Sequence, residues 1–256
     1  MLKRLWLDNP LIRSMLFYPR RAIPGSSHLA DTYDGVVPIG KVKIGYRLYA
    51  KHDAEALLLC FHGNGEVVSD YDIMASFFRE INLALLVAEY RGYGWSTGQP
   101  RTSSLLSDAE VTLQHLTAIL ARHNTSMLPL FVHGRSLGGA AAIHLAHKFP
   151  EQFKGLILES TFAHAPSIVS RVFKRLPGLF DNSRKIGQIR LPLLVIHGER
   201  DTLIPIRQGL SLYDTSPSSN KTLLRVPNAG HNDLVAVAKA RYFSAINQFV
   251  GLHIKE

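Results

Sequence analysis

Apolar residues along this chain collect in short, unbroken runs. Residues 57–61, 83–88, 128–132, 156–158 and 193–196 are continuous rather than alternating. Strands covered by helices on both faces read this way, so the runs predict a central parallel sheet. Longer stretches with helical spacing lie between them. In 104–123, Leu105, Ala109, Leu113, Leu116 and Leu120 recur on one face, and 70–81, 137–148 and 233–250 are further helices by the same reading. This alternation, with short connections, predicts an α/β fold: a doubly wound, mostly parallel sheet flanked by helices. Residues 42–49 alternate instead, and are expected to form an antiparallel edge with the extended segment around Phe17. A last strand is expected at 223–226.

Residues 162–190 break the rhythm. They lie between two strands, are basic, and contain Pro166, Pro177 and Gly178. They read as a short lid insertion over the carboxyl edge of the sheet, where open α/β sheets bind ligands. The expectation is one domain over 1–256, with 1–30 as an N-terminal arm. There is no internal repeat and no low-complexity tract.

Composition narrows the class. With 256 residues, 46% hydrophobic and 19% charged, the chain suits a globular domain and excludes disorder, collagen and coiled coil. Cys60 is the sole cysteine, which excludes an intramolecular disulfide and a cysteine-based zinc site. No stretch reaches the roughly 18 apolar residues of a membrane span. The first four residues could open a signal peptide, but Asp8, Asn9, Pro10 and Arg13 interrupt the apolar run. The lone cysteine fits a reducing compartment, and a cytoplasmic protein is expected.

Charge adds a second feature. Residues 1–30 hold five basic side chains against one acidic, and 162–190 hold six against one, so these two segments carry the whole net charge of +9. Both also hold apolar side chains, among them Leu5, Trp6, Phe17, Val172 and Phe173. Two readings stay open. One is a packed arm and a small lid with solvated cations. The other is a peripheral face that meets anionic membrane or an acylated acidic substrate. The cations are not interleaved into any nucleic-acid module, so no nucleic-acid partner is expected.

The strongest chemical signal is Gly134-Arg135-Ser136-Leu137-Gly138-Gly139, between a strand and a helix. A nucleophile elbow demands that context: the serine sits on a sharp, strained turn with its hydroxyl above the sheet. A serine hydroxyl needs a positioned base. Among 12 histidines, His231 stands apart, on a loop after the last strand and before the last helix. His62, His133 and His197 each end a strand before a glycine, and turn chemistry is their expected role; His144 and His147 are packing or surface residues. The base needs an acid to fix its tautomer. Asp201, after the strand at 193–196, is the choice over its rivals Glu199 and Glu159. An oxyanion hole completes the set, from the backbone N–H groups of Leu137 and Asn64, the latter in the loop Phe61-His62-Gly63-Asn64-Gly65.

Those stretches, with Glu89-Tyr90-Arg91-Gly92-Tyr93-Gly94, Asp201-Thr202-Leu203-Ile204-Pro205 and Gly230-His231-Asn232-Asp233, resemble the α/β-hydrolase superfamily over about 17–250. The nearest resemblance is to the bud-emergence-type hydrolases and their alpha/beta-hydrolase-domain relatives. It implies a serine hydrolase with Ser136, Asp201 and His231 as its triad, the Ser…Asp…His order of that fold, and no cofactor or metal. It implies a structural role for the 91–95 loop. Many eukaryotic relatives carry a transmembrane anchor before the catalytic domain; none is expected here, so membrane attachment is not carried over. The expected activity is cleavage of a carboxylic ester in a small acyl substrate through an acyl-enzyme on Ser136. The alternatives are an acyl-thioesterase with the same triad and a non-catalytic hydrolase-fold protein that binds a small molecule.

Overall fold

The computed structural model describes residues 13, 14, 16–164 and 180–254. Eight strands run in the order β1 (Thr32–Ile39), β2 (Val42–Tyr49), β4 (Leu83–Ala88), β3 (Ala56–Phe61), β5 (Leu130–Arg135), β6 (Gly155–Glu159), β7 (Leu193–Gly198) and β8 (Lys221–Val226). β1/β2 and β2/β4 pair antiparallel. β3/β4, β5/β6, β6/β7 and β7/β8 pair parallel. The sheet is therefore mostly parallel, as the unbroken apolar runs require. Every residue of β3, β4, β6 and β7 is buried, because helices cover both faces. β8 is an outer strand, carries Lys221 and Arg225, and is only part-buried.

The chain divides into two compact units, Met1–Leu128 and Pro129–Glu256. The first holds β1–β4 with α1 (Asp72–Glu80), α2 (Thr102–Gln114) and α3 (Leu116–Arg122). The stretch 104–123 is thus two helices rather than one. The bend falls at His115, whose ring Nδ1 bonds back to the Val111 carbonyl at 2.9 Å. The second unit holds β5–β8 with α4 (Gly138–Lys148), α5 (Asn182–Ile186), α6 (Arg207–Thr215), α7 (Leu234–Ala238) and α8 (Ala240–His253). The expected helix over 233–250 is broken at Lys239, which has a φ of 51°. α5 and α6 have no counterpart in the sequence reading.

The antiparallel edge is a correction. The partner of β2 is β1, not the segment around Phe17; Phe17 is buried but lies in no strand. β1 contains Asp34, Gly35 and Pro38, which hide its strand character. A local signal exists nonetheless. Gly40 and Lys41 form a two-residue connection with Ile39 opposite Val42, and Gly40 has a φ of 59°. Glycine at the first central position of such a turn gives the twist that antiparallel neighbours need. Pro38 is tolerated because β1 is an edge.

The two basic segments are described only in part. Residues 1–12, 15 and 165–179 lie outside the described residues, and with them most of the segment expected to form a lid and the start of the expected arm. The described cations of the arm are engaged within the first unit. Arg13 donates to Gln99 Oε1 at 2.5 Å, Arg20 pairs with Asp70 at 2.6 Å, and Arg21 donates to the Ser96 carbonyl at 2.8 Å. Among the described residues no helix is long and apolar enough to cross a membrane.

Candidate active site

Ser136 occupies the turn between β5 and α4 with a φ of 52°, a left-handed conformation that a non-glycine residue rarely adopts. Its main chain is held from two sides. The Ser136 N–H donates to the Glu159 carbonyl at 2.9 Å, and the Thr161 hydroxyl donates to the Ser136 carbonyl at 2.5 Å. The turn is tight enough that a Cβ at residue 134 would stand 2.5 Å from the Gly138 carbonyl oxygen and 2.6 Å from Gly139 Cα. Those atoms are backbone and cannot rotate away. Gly134→Ala is therefore expected to exceed the roughly 1–3 kcal/mol of ordinary overpacking. Gly187→Ala, whose new Cβ would meet nothing closer than 3.5 Å, should be near neutral. Thermal melts of the two variants check this; a small loss at 134 would contradict the turn geometry.

The three residues named from the sequence come together within the second unit. His231 Nε2 lies 3.0 Å from Ser136 Oγ, and His231 Nδ1 lies 2.7 Å from Asp201 Oδ2. All three are buried, with His231 the most exposed at 9%. Asp201 is held by the loop after β7, where its Oδ1 accepts the N–H groups of Leu203 (3.0 Å) and Ile204 (2.7 Å). The His231 loop is tied to that same strand end: the Arg200 N–H donates to the Ala229 carbonyl at 2.8 Å and the Glu199 N–H to the Val226 carbonyl at 3.0 Å. Burial alone would push the Asp201 carboxyl up. The side chains of His197 and His231 and the Ile204 N–H more than offset this and hold it well below the ordinary carboxylate range.

The rival acids are occupied elsewhere. Glu199 pairs with Arg225 at 2.8 Å. Glu159 accepts Arg135 Nε at 3.1 Å and the Tyr242 hydroxyl at 2.7 Å. Burial works to raise the Glu159 carboxyl. The His133 ring, at 3.5 Å too distant for a full hydrogen bond, together with Arg135 and Tyr242 brings it down to about 2.

The two oxyanion candidates lie in different units. The Leu137 N–H lies at the amino end of α4, where main-chain donors have no intrahelical partner. Asn64 lies in the first unit, after β3, and its side chain is taken up there. Its Oδ1 accepts the Tyr18 N–H (2.9 Å) and the Tyr93 hydroxyl (2.6 Å), and its Nδ2 donates to the Leu16 carbonyl (2.9 Å).

The strand-end histidines do more than shape turns. His197 is fully buried, with Nε2 2.7 Å from the Ile204 carbonyl and 3.5 Å from Asp201 Oδ2. A carbonyl only accepts, so Nε2 carries hydrogen and braces the loop that carries Asp201. His62 places Nδ1 2.8 Å from the Gly63 carbonyl and Nε2 2.9 Å from Glu89 Oε2. Burial disfavours its charge, but Glu89 outweighs burial and raises its pKa. The sequence showed these residues only as repeated His-Gly pairs at strand ends, a pattern with no chemical partner beside it.

Cavities are modest. One of about 20 Å³ is lined by Phe162, Leu203, Ile204, Pro205 and others, beside the acid loop. A larger one of about 320 Å³ in the first unit, lined by Tyr33, Lys51 and His123 among others, includes none of the predicted site residues. Among the described residues no cluster of His, Cys, Asp or Glu could hold a metal ion.

Comparison with known proteins adds four findings. The family model for serine aminopeptidase S33 (Hydrolase_4) matches residues 52–184. Protein bem46 of Schizosaccharomyces pombe is 31% identical over 210 residues, covering 77% of this chain and 68% of that protein. An uncharacterized membrane protein of Saccharomyces cerevisiae is 28% identical over 257 residues, covering 93% of this chain and 88% of its own length. Among solved structures, the esterase Pf2001 of Pyrococcus furiosus matches with a TM-score of 0.72 at 17% identity, over 92% of this chain and 99% of that one. This last likeness shows a shared α/β-hydrolase fold.

Proposed function

The chain belongs to the serine aminopeptidase S33 (Hydrolase_4) family of α/β-hydrolases, and on that premise we propose that it cleaves a carboxylic ester of a small acyl substrate through an acyl-enzyme on Ser136. The observation that carries this reading is the hydrogen-bonded line Ser136 Oγ–His231 Nε2 (3.0 Å) and His231 Nδ1–Asp201 Oδ2 (2.7 Å). Ser136 Oγ attacks the acyl carbonyl while His231 takes its proton. The oxyanion is received by the Leu137 N–H. His231 then protonates the leaving alcohol, and water, deprotonated by His231, releases the acid. Asp201 holds the ring and stabilises the imidazolium without itself taking the proton.

Labelling with a fluorophosphonate, followed by peptide mapping, tests the reading. The expected result is one adduct, on Ser136. A folded protein that takes no label would favour the non-catalytic alternative. Because a thioester would use the same steps, an oxygen ester and a thioester of one acyl chain are to be compared by kcat/KM; a preference for the thioester would move the assignment to acyl-thioesterase.

A further inference from the structure

We propose that Arg135 is a positioning residue for the base: paired with Glu159, its guanidinium clamps the His231 loop against the end of the sheet. The proposal rests on the serine-hydrolase reading. Arg135 and Glu159 are register partners at the carboxyl ends of β5 and β6. The Glu159 carboxylate, 1% exposed, accepts Arg135 Nε at 3.1 Å, and α8 closes its other side through the Tyr242 hydroxyl at 2.7 Å. The guanidinium does not stop there. Its Nη2 donates to the His231 main-chain carbonyl at 2.8 Å and reaches Asn232 Oδ1 at 3.3 Å. The Glu159 carbonyl meanwhile accepts the Ser136 N–H at 2.9 Å. One residue thus fixes the nucleophile's main chain with its carbonyl and, through Arg135, the base's main chain with its carboxylate.

The ring bonds of His231 set its orientation, but they do not fix where its backbone stands. A carbonyl held by a charged donor does, and the donor is anchored to a buried carboxylate on the neighbouring strand. Only a fork can perform this bridge, because Nε serves Glu159 while Nη2 serves the loop. A lysine carries the same charge on a single nitrogen and can reach one partner or the other. This separates the clamp from the plainer role of neutralising a buried carboxylate. A neutralising cation survives exchange for lysine; a clamp does not. A misplacement of about 1 Å in a catalytic group costs up to about 10²-fold.

The test uses the full chain as wild type, Ser136→Ala, Arg135→Lys, Arg135→Ala and Glu159→Gln. Fluorophosphonate labelling is resolved into kinact and KI, beside thermal melts. Arg135→Lys is expected to fold, keep KI within about twofold, and lose kinact by roughly 10- to 100-fold. A folded Arg135→Lys with wild-type kinact overturns the clamp and leaves Arg135 as a counter-charge. If Arg135→Lys does not fold, Glu159→Gln carries the test, since it keeps the side chain's shape and removes the charge that anchors Arg135, with thermal melts reporting what the altered Tyr242 and His133 contacts cost. A kinact lowered about tenfold at unchanged KI then supports the clamp, and an unchanged kinact overturns it. Adding methylguanidinium to Arg135→Ala should raise labelling several-fold if the fork is what was lost, whereas a collapsed scaffold would not respond. A wild type that takes no label at Ser136 overturns the serine-hydrolase reading and the clamp with it; a labelled wild type with unaffected variants overturns the clamp alone.

Discussion

Ser136→Ala is expected to lower kcat on an acyl ester by on the order of 10⁶-fold, with KM little changed. The hydroxyl is proposed to form the acyl bond, and the described residues offer no substitute beside His231. Cys60 is 0% exposed inside β3 and cannot reach a substrate. His231→Ala should cost nearly as much, and the double variant little more than either, because nucleophile and base act as one unit. Stability should move the other way. Ser136 holds a φ of 52°, which costs a non-glycine residue on the order of 1 kcal/mol or more. Alanine keeps that strain and loses only the bond to His231, so the melting temperature should change by a few degrees at most. Glycine relieves the strain, so Ser136→Gly should melt above Ser136→Ala while being equally inactive. Activity within tenfold of wild type in either variant would remove Ser136 from the mechanism.

The parallel core could be read from the chain because its signal is local. Five unbroken apolar stretches each mark a strand of the sheet; four lie wholly inside one, and the run at 128–132 begins two residues before β5. The edges could not be read so directly. β1 carries polar and turn-forming residues because one side of it faces no further strand, and only the Gly40-Lys41 connection betrays it. The helix breaks at His115 and Lys239 arise from a side-chain bond and a left-handed residue, and neither disturbs the hydrophobic period.

The candidate site divides along the same line. Ser136, Asp201 and His231 follow strand ends within the second unit, so the elbow motif and the order along the chain point to them as candidates. Choosing Asp201 over Glu159 was a matter of partners that no spacing reveals. Glu159 is drawn off by Arg135 and Tyr242, and Tyr242 lies 83 positions away. Arg135 itself sat inside the elbow motif as its variable position, and nothing local said that its guanidinium would reach the His231 carbonyl.

Asp201→Asn is expected to reduce kcat by about 10⁴-fold at nearly constant KM. The cause is the tautomer. An ionised carboxylate only accepts, so Asp201 Oδ2 at 2.7 Å requires the hydrogen on His231 Nδ1 and leaves Nε2 bare to take the Ser136 proton at 3.0 Å. In the variant, the Leu203 and Ile204 N–H groups, which now bond Oδ1, would hold the amide oxygen and turn the NH₂ group toward the ring. The ring would then accept at Nδ1 and carry its hydrogen on Nε2, where it cannot act as a base. A second measurement follows from the same bonds. The folded Asp201 carboxyl titrates below its ordinary value of about 3.9, so unfolding takes up a proton as the solution is acidified through that range. Its contribution to stability is complete above pH ~4 and is lost as pH falls toward the folded pKa. The wild type should therefore lose melting temperature below about pH 4 more steeply than Asp201→Asn, which has no such proton to bind. Parallel curves, or a variant that keeps more than a tenth of the wild-type kcat, would mean that another group orients His231.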